Sequence, residues 1–142
     1  MALSTYPAGL IRRLAAAVYD LFLLVGLWLL SGLLLLPFHH GHAVDGSNPW
    51  VRLYFLFIPY LFFSWFWMHG GQTLGMKAWR MQLRTPDGGP VRWHHAVIRY
   101  IAAWFSWLSI VGMLWCLVDG QRRSVQDIAS GTELVVIPRE SN

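Results

Sequence analysis

Arg12-Arg13-Leu14-Ala15-Ala16-Ala17-Val18-Tyr19-Asp20 runs directly into sixteen uncharged residues, 21–36. At a rise of about 1.5 Å per residue, a helix over residues 14–36 covers most of the roughly 30 Å hydrocarbon thickness of a bilayer. A carboxylate inside such a segment costs about 2.5–3.5 kcal/mol on insertion scales, so Asp20 needs a partner or a use. Arg13 stands seven residues before it. That spacing is about two helical turns, which puts both side chains on one face, roughly 10 Å apart along the axis. Two readings follow. In the structural one, Arg13 snorkels to the headgroups and Asp20 pairs with another segment to fix helix packing. In the functional one, Asp20 is a proton or cation site whose protonation is coupled to movement.

The rest of the composition supports a membrane protein rather than a soluble enzyme. Of 142 residues, 56% are hydrophobic and 13% charged, about half the usual charged share. Nine are tryptophan, a residue that favours membrane interfaces. The formal net charge is +4. A basic chain can bind nucleic acid, but these bases are segregated along the sequence in the way that sets membrane orientation, so no nucleic-acid partner is expected. Cys116 is alone in an apolar segment, which excludes a disulfide or zinc framework within one chain and leaves a small packing residue. Residues 12–36 mimic a signal peptide. The run is too long, however, and Pro37-Phe38-His39-His40 offers no small-residue cleavage site, so a signal anchor is expected.

Three segments are long and apolar enough to cross a bilayer, given tilt or thinning for the shorter ones. They are residues 14–36, stopped by Pro37; residues 50–68, with Arg52 near the start and Pro59 inside; and residues 100–118, bounded by Arg99 and Asp119. Pro59 is tolerable as a kink if neighbours satisfy the carbonyl it frees. The connector 38–49 contains no Lys or Arg, whereas the connector 69–99 carries Lys77, Arg80, Arg84, Arg92 and Arg99. The excess of bases on the inner side therefore predicts a cytoplasmic N-terminus and long connector.

The tail raises a conflict. Three crossings put residues 119–142 outside, yet Arg122 and Arg123 argue for the inside. A second pattern agrees with them. Residues 81–84 and 91–93 around Pro86-Asp87-Gly88-Gly89 read as a strand hairpin. Residues 133–137 add a third strand, which a marginal hairpin needs. That pairing holds the tail beside the connector and makes the third segment re-entrant, broken near residues 106–112. Between them, Gly70-Gly71-Gln72-Thr73-Leu74-Gly75 turns into an amphipathic piece over 76–82, with Lys77 and Arg80 on one side and Trp79 and Leu83 toward lipid.

Three stretches resemble the RDD family of membrane proteins, named for one arginine and two aspartates. The segment from Arg13 to Asp20 looks like its opening motif. Gly71-Gln72-Thr73-Leu74-Gly75-Met76-Lys77 is similar to its Gly-Gln-Thr-x-Gly-Lys connector, with Met76 inserted before the lysine. Arg122-Arg123-Ser124-Val125-Gln126-Asp127-Ile128-Ala129-Ser130-Gly131-Thr132 resembles its C-terminal signature, with Gln126 where the family often has histidine. Asp87-Gly88 and Arg99 also sit where the family tends to carry such residues. The resemblance covers residues 7–137 and implies a small multi-pass membrane protein of unknown molecular function, in a family often linked to transport.

The remaining candidates are weighed on their chemistry. Asp127 either caps a helix or makes a solvated salt bridge with Arg122 or Arg123, worth at most about 1 kcal/mol if exposed. Alternatively, with the tail inside, it meets Arg13 and closes a charged cluster of Arg13, Asp20 and Asp127. His39, His42 and Asp45 have the donor types of a metal site but lack a thiol and a supporting shell, so a solvated loop is expected and no metal. His94 and His95 beside Trp93 read as interfacial. The Gly70–Gly75 turn with Lys77 lacks the Gly-Lys-Ser/Thr of a P-loop, which excludes nucleotide binding. Contact of Lys77, Arg80 and Arg84 with lipid headgroups fits better. No serine–histidine or cysteine–histidine arrangement is visible, so no enzyme activity and no cofactor are expected.

The expected fold is an all-α integral membrane protein. It has three apolar helical segments, the third crossing or re-entrant, and a small cytoplasmic cap of short strands and an amphipathic helix. One membrane domain spans residues 7–137, followed by a polar tail, 138–142. The expected location is the inner membrane. The expected function is a transport or ion-exchange module centred on Arg13, Asp20 and Asp127, with Arg99, Arg122 and Arg123 behind them. The alternative is a non-transporting scaffold or accessory subunit. Three segments enclose little space, so transport calls for a homo-oligomer or another membrane protein. Gly26, Ser31 and Gly32 are small enough to let helices approach.

Overall fold

The computed structural model describes residues 4–40, 42 and 44–138. Strand β1 (Tyr6–Pro7) leads into helix α1 (Leu10–Leu35), which buries Arg13, Ala16, Asp20, Leu24 and Ser31. These spacings of three, four and seven residues keep one stripe turned inward. Pro37 does not stop the chain at once. It opens a 3-10 turn (Leu36–His39) that ends in the left-handed conformation of His40.

Helix α2 (Pro49–Met68) starts at Asn48, whose side chain accepts from the Trp50 amide at 3.0 Å. It continues through Pro59. Proline has no N–H and so frees the carbonyl four residues earlier. That carbonyl, Phe55 O, accepts from Trp28 Nε1 of α1 at 3.0 Å. Leu56 O, in the same turn, accepts from Tyr100 Oη at 2.8 Å. The kink is thus held by side chains from two other segments.

After α2 come helix α3 (Leu74–Ala78), strand β2 (Met81–Arg84), helix α4 (Trp93–Ser109), helix α5 (Val111–Leu114), a 3-10 turn (Trp115–Leu117), helix α6 (Val125–Ser130) and strand β3 (Glu133–Val136). The sheet order is β1-β3-β2, antiparallel throughout. Met81 pairs with Val136 and Arg84 with Glu133 on one side of β3, and Tyr6 with Val136 on the other.

The sheet corrects two expectations. Residues 91–93 are not a strand: β2 takes its partner from the tail, Val91 is buried in the core, and Trp93 opens α4. The turn itself forms, with Gly88 N bonded to Thr85 O at 2.8 Å. Pro90 then follows the turn without a donor for a ladder. The amphipathic piece expected over 76–82 is a five-residue helix ending at Ala78, and Leu83 lies in the core rather than toward lipid.

The third apolar segment is broken. Trp93–Ser109 and Val111–Leu117 meet at 105°. Ile110, at the break, has φ +55°, an unusual backbone for a β-branched residue. Gly112 packs so closely that an added Cβ would lie 2.7 Å from Ser106 Cα. The segment leaves the connector after β2 and returns to β3, and β2 and β3 are bonded to each other. It therefore begins and ends at the same face of the molecule, together with the N-terminus and the tail.

The core sits where this sheet meets the ends of α1, α2 and α4, around Ala16, Trp67, Met81, Leu83, Ala96 and Val136. Away from it, the helices turn large apolar side chains outward, including Phe22, Leu29 and Phe105. α1 and α2 are long and apolar enough to cross a membrane, and apolar helices with such outward faces belong in a bilayer.

Candidate functional site

Asp127 has no exposed surface, although α6, which carries it, belongs to the small sheet-bearing end of the molecule. Two arginines surround it. Arg13 Nη1 donates to Asp127 Oδ2 at 2.8 Å, and Arg99 Nη1 donates to Oδ1. The Ser124 amide adds a third donor at 3.1 Å. Burial alone would push this carboxyl up. The charges of Arg99 and Arg13 outweigh it and hold the carboxyl below its ordinary value.

Both arginines are fixed beyond this contact. Arg13 donates to Ala8 O and Arg122 O, each at 3.0 Å. Arg99 reaches Thr132 Oγ1 at 3.2 Å and lies over the Trp67 ring, 5.3 Å from its centre, within cation–π range. The triad thus ties α1, α4 and α6 together.

Asp20 belongs to a different network. Among the described residues it has no hydrogen bond to Arg13, which corrects the pairing expected from their spacing. Thr73 Oγ1 donates to Asp20 Oδ2 at 2.5 Å, and the Gly75 amide donates to Oδ1 at 2.8 Å. The reason is directional. Arg13 is drawn toward the tail by Asp127, whereas Asp20, two turns deeper, faces the connector.

Each residue of the connector motif has a place in this contact. Gly71 adopts φ +70°, and its carbonyl accepts from Leu83 N at 2.7 Å. Gln72 donates to Met81 O at 2.8 Å. Thr73 also caps α3, accepting from Met76 N at 3.1 Å. Gly75 lies against α1, where a Cβ would meet Ala16 O and come within 2.9 Å of the Asp20 carboxyl. Lys77 is exposed. Arg84, expected at lipid headgroups, instead pairs with Glu133 at 2.7 Å and Thr5 at 2.9 Å.

Arg122 contributes its carbonyl to Arg13, and Arg123 pairs with Asp119 at 3.2 Å. Neither forms a side-chain pair with Asp127. In the His39–Asp45 loop, Asp45 accepts from Ser47 N and Oγ, and His39 Nδ1 lies 3.2 Å from Leu35 O. No three His, Cys, Asp or Glu side chains converge as metal ligands among the described residues. Gly32 is met by the Phe55 ring, whereas Gly26 faces open space.

Between the helices lies a cavity of about 380 Å³. Arg13, Asp20 and Arg99 line it together with Leu24, Trp28, Phe63, Trp67 and Trp104. Asp20 is its one carboxylate among the described residues. Sequence reasoning gave Arg99 only a supporting place and missed Trp28 and Trp67. The signal for Trp28 was Pro59, which announces a carbonyl in need of a donor.

The family model described as RDD family matches residues 7–131. The chain belongs to the RDD family. In this RDD protein, the arginine and aspartate of the opening motif are split between two networks, and Asp127 of the C-terminal signature binds the arginine across the fold. No curated protein and no solved structure matches the chain.

Proposed function

We propose that this RDD protein is a membrane module that exchanges protons through Asp20, with the Arg13–Asp127–Arg99 triad as a fixed lock between cap and helices. The observation that carries this reading is the position of Asp20 on the cavity wall, as its one carboxylate among the described residues. Its two oxygens accept hydrogen bonds from Thr73 and Gly75. A proton is favoured over a metal cation because Asp20 is the one carboxylate of the lining among the described residues and both its oxygens already accept hydrogen bonds, which leaves no set of oxygen ligands for a hard cation.

The protein is read as non-enzymatic, in the inner membrane, with two crossings and a re-entrant third segment. The sheet-bearing end carries Arg12, Lys77, Arg80 and Arg122, and the connector 38–49 carries no Lys or Arg. That asymmetry supports a cytoplasmic cap and N-terminus. The apolar outer faces of α1 and α2 leave room for a homo-oligomer or another membrane protein.

Proton flux in proteoliposomes tests the proposal. Asp20→Asn keeps an oxygen for the Gly75 amide but cannot release a proton. It is expected to accumulate normally and lower flux to that of empty liposomes. Undiminished flux in Asp20→Asn contradicts the proposal. Failure of the variant to accumulate moves Asp20 to the second reading, a non-transporting scaffold. That reading is favoured by the saturation of Asp127, whose two oxygens receive three donors.

A further inference from the structure

We propose that the corner between α1 and α3 binds the head of an anionic phospholipid, through a basic patch of Arg12, Lys77 and Arg80. On α1, Arg12, Ala16 and Asp20 follow one another at intervals of four and share one face. Helix α3 lies along that face. The Gly75 amide donates to Asp20 Oδ1 at 2.8 Å, and Arg12 Nη1 donates to Trp79 O at 3.3 Å. α3 therefore runs antiparallel to the first turns of α1, and its end lies at the start of α1. Lys77 and Arg80 flank Trp79 in the chain, so both stand within about one turn of the Arg12 contact. Leu74 and Trp79 are each 40% exposed. Apolar and aromatic surface thus adjoins the bases, the pattern of a segment seated at a membrane interface.

Charge complementarity selects the occupant. Lys77 and Arg80 are exposed and Arg12 is partly so. Among the described residues none of the three enters an ion pair, whereas Arg84 pairs with Glu133 and Arg123 with Asp119. The acid on the same face of α1, Asp20, is buried, and its oxygens are engaged by Thr73 and Gly75. Counting it still leaves three bases against one acid. Clustered bases at a membrane surface attract anionic headgroups. A lipid is chosen over free phosphate because its glycerol and chains can also lie against Leu74 and Trp79. The patch exchanges Arg84, expected at headgroups from the sequence, for Arg12 on a different element. It needs no proton exchange at Asp20, so it goes beyond the proposed function.

Photolabelling of the full chain in phosphatidylcholine nanodiscs tests this, using a trace of phosphatidylglycerol with a diazirine near its headgroup. Phosphatidylcholine carrying the same diazirine is the comparison probe. The readout is label on the peptide bearing Leu74 and Trp79 relative to label at the outward residue Phe22. That ratio is expected to be higher for the anionic probe. Unlabelled phosphatidylglycerol is expected to lower it, and millimolar inorganic phosphate is not. Lys77→Gln and Arg80→Gln are each expected to weaken the preference about fivefold, the usual contribution of one base near an anionic surface. Arg92→Gln removes an exposed base of the same connector outside the patch and is expected to change nothing. Equal ratios for the two probes overturn the proposal. So does an unchanged ratio in the Lys77→Gln, Arg80→Gln double variant, an equal loss in Arg92→Gln, or displacement by inorganic phosphate.

Discussion

Asp127 is the residue on which the charged network turns. Removing one partner of a buried ion pair costs about 3–5 kcal/mol, because the remaining charge is left uncompensated. Asp127→Asn leaves both Arg13 and Arg99 in that position. It is expected to reduce accumulation and lower the thermal unfolding midpoint measured in detergent. The acid response has a defined sign. The carboxyl is held below its ordinary 3.8, so its stabilisation is fully present above about pH 4 and is lost as pH falls through the depressed value. Unfolding midpoints should stay level with respect to this group down to about pH 4 and then drop, and Asp127→Asn should remove that acid limb. At Gly75, the added methyl of Gly75→Ala meets Ala16 O and the Asp20 carboxyl. Overpacking of this kind costs about 1–3 kcal/mol, to be read as a lowered midpoint. Arg13 and Asp20 were legible in the sequence because a charge beside or inside an apolar run is conspicuous. The contact of Arg13 with Asp127, 114 positions away, was legible as the alternative tied to an inside tail; the partners of Asp20, Thr73 and Gly75, were not, since helical spacing offers the nearer Arg13 first. Arg99 was underweighted because a base at the edge of an apolar run reads first as an orientation signal.

The kink in α2 shows how elements depend on one another. Pro59 frees Phe55 O, and Trp28 supplies the donor from α1. Trp28→Phe keeps an aromatic ring, though a smaller one, and removes that N–H. Leaving a fully buried acceptor unpaired costs about 1–3 kcal/mol, and Phe55 O is half-buried on a helix turned toward lipid. The variant should therefore unfold earlier on heating, whereas a Phe substitution at the outward-facing Trp65 should change little. The break in the third segment was legible as well: small and polar residues gather at 106–112, and the bend falls at Ile110, with Gly112 against Ser106. The strand pairing was legible only in part. Residues 81–84 carried alternation and residues 133–137 a β-branched run, but residues 91–93 are too few to distinguish a strand from the approach to a helix. Leu83 could not be assigned to lipid or core until β3 supplied the other side of the sheet.

The sheet joins three distant parts of the chain, the N-terminus, the connector and the tail. The Arg13–Asp127–Arg99 triad closes the same junction from the helix side. The proposed topology accordingly has an even number of bilayer crossings, with α1 and α2 as the spans and the third segment bending back. In the sequence, the count of apolar segments put the tail outside and Arg122 and Arg123 put it inside, because a count takes a bent pair of helices for one crossing. Labelling of single cysteines with a membrane-impermeant maleimide decides between them. In a Cys116→Ser background, Asp87→Cys sits in the connector, Gln121→Cys between α5 and α6, and Asn48→Cys at the start of α2, all exposed. The account predicts that Asp87→Cys and Gln121→Cys react from one side of the membrane and Asn48→Cys from the other. Reaction of Gln121→Cys on the same side as Asn48→Cys would separate Asp127 from Arg13 and contradict it.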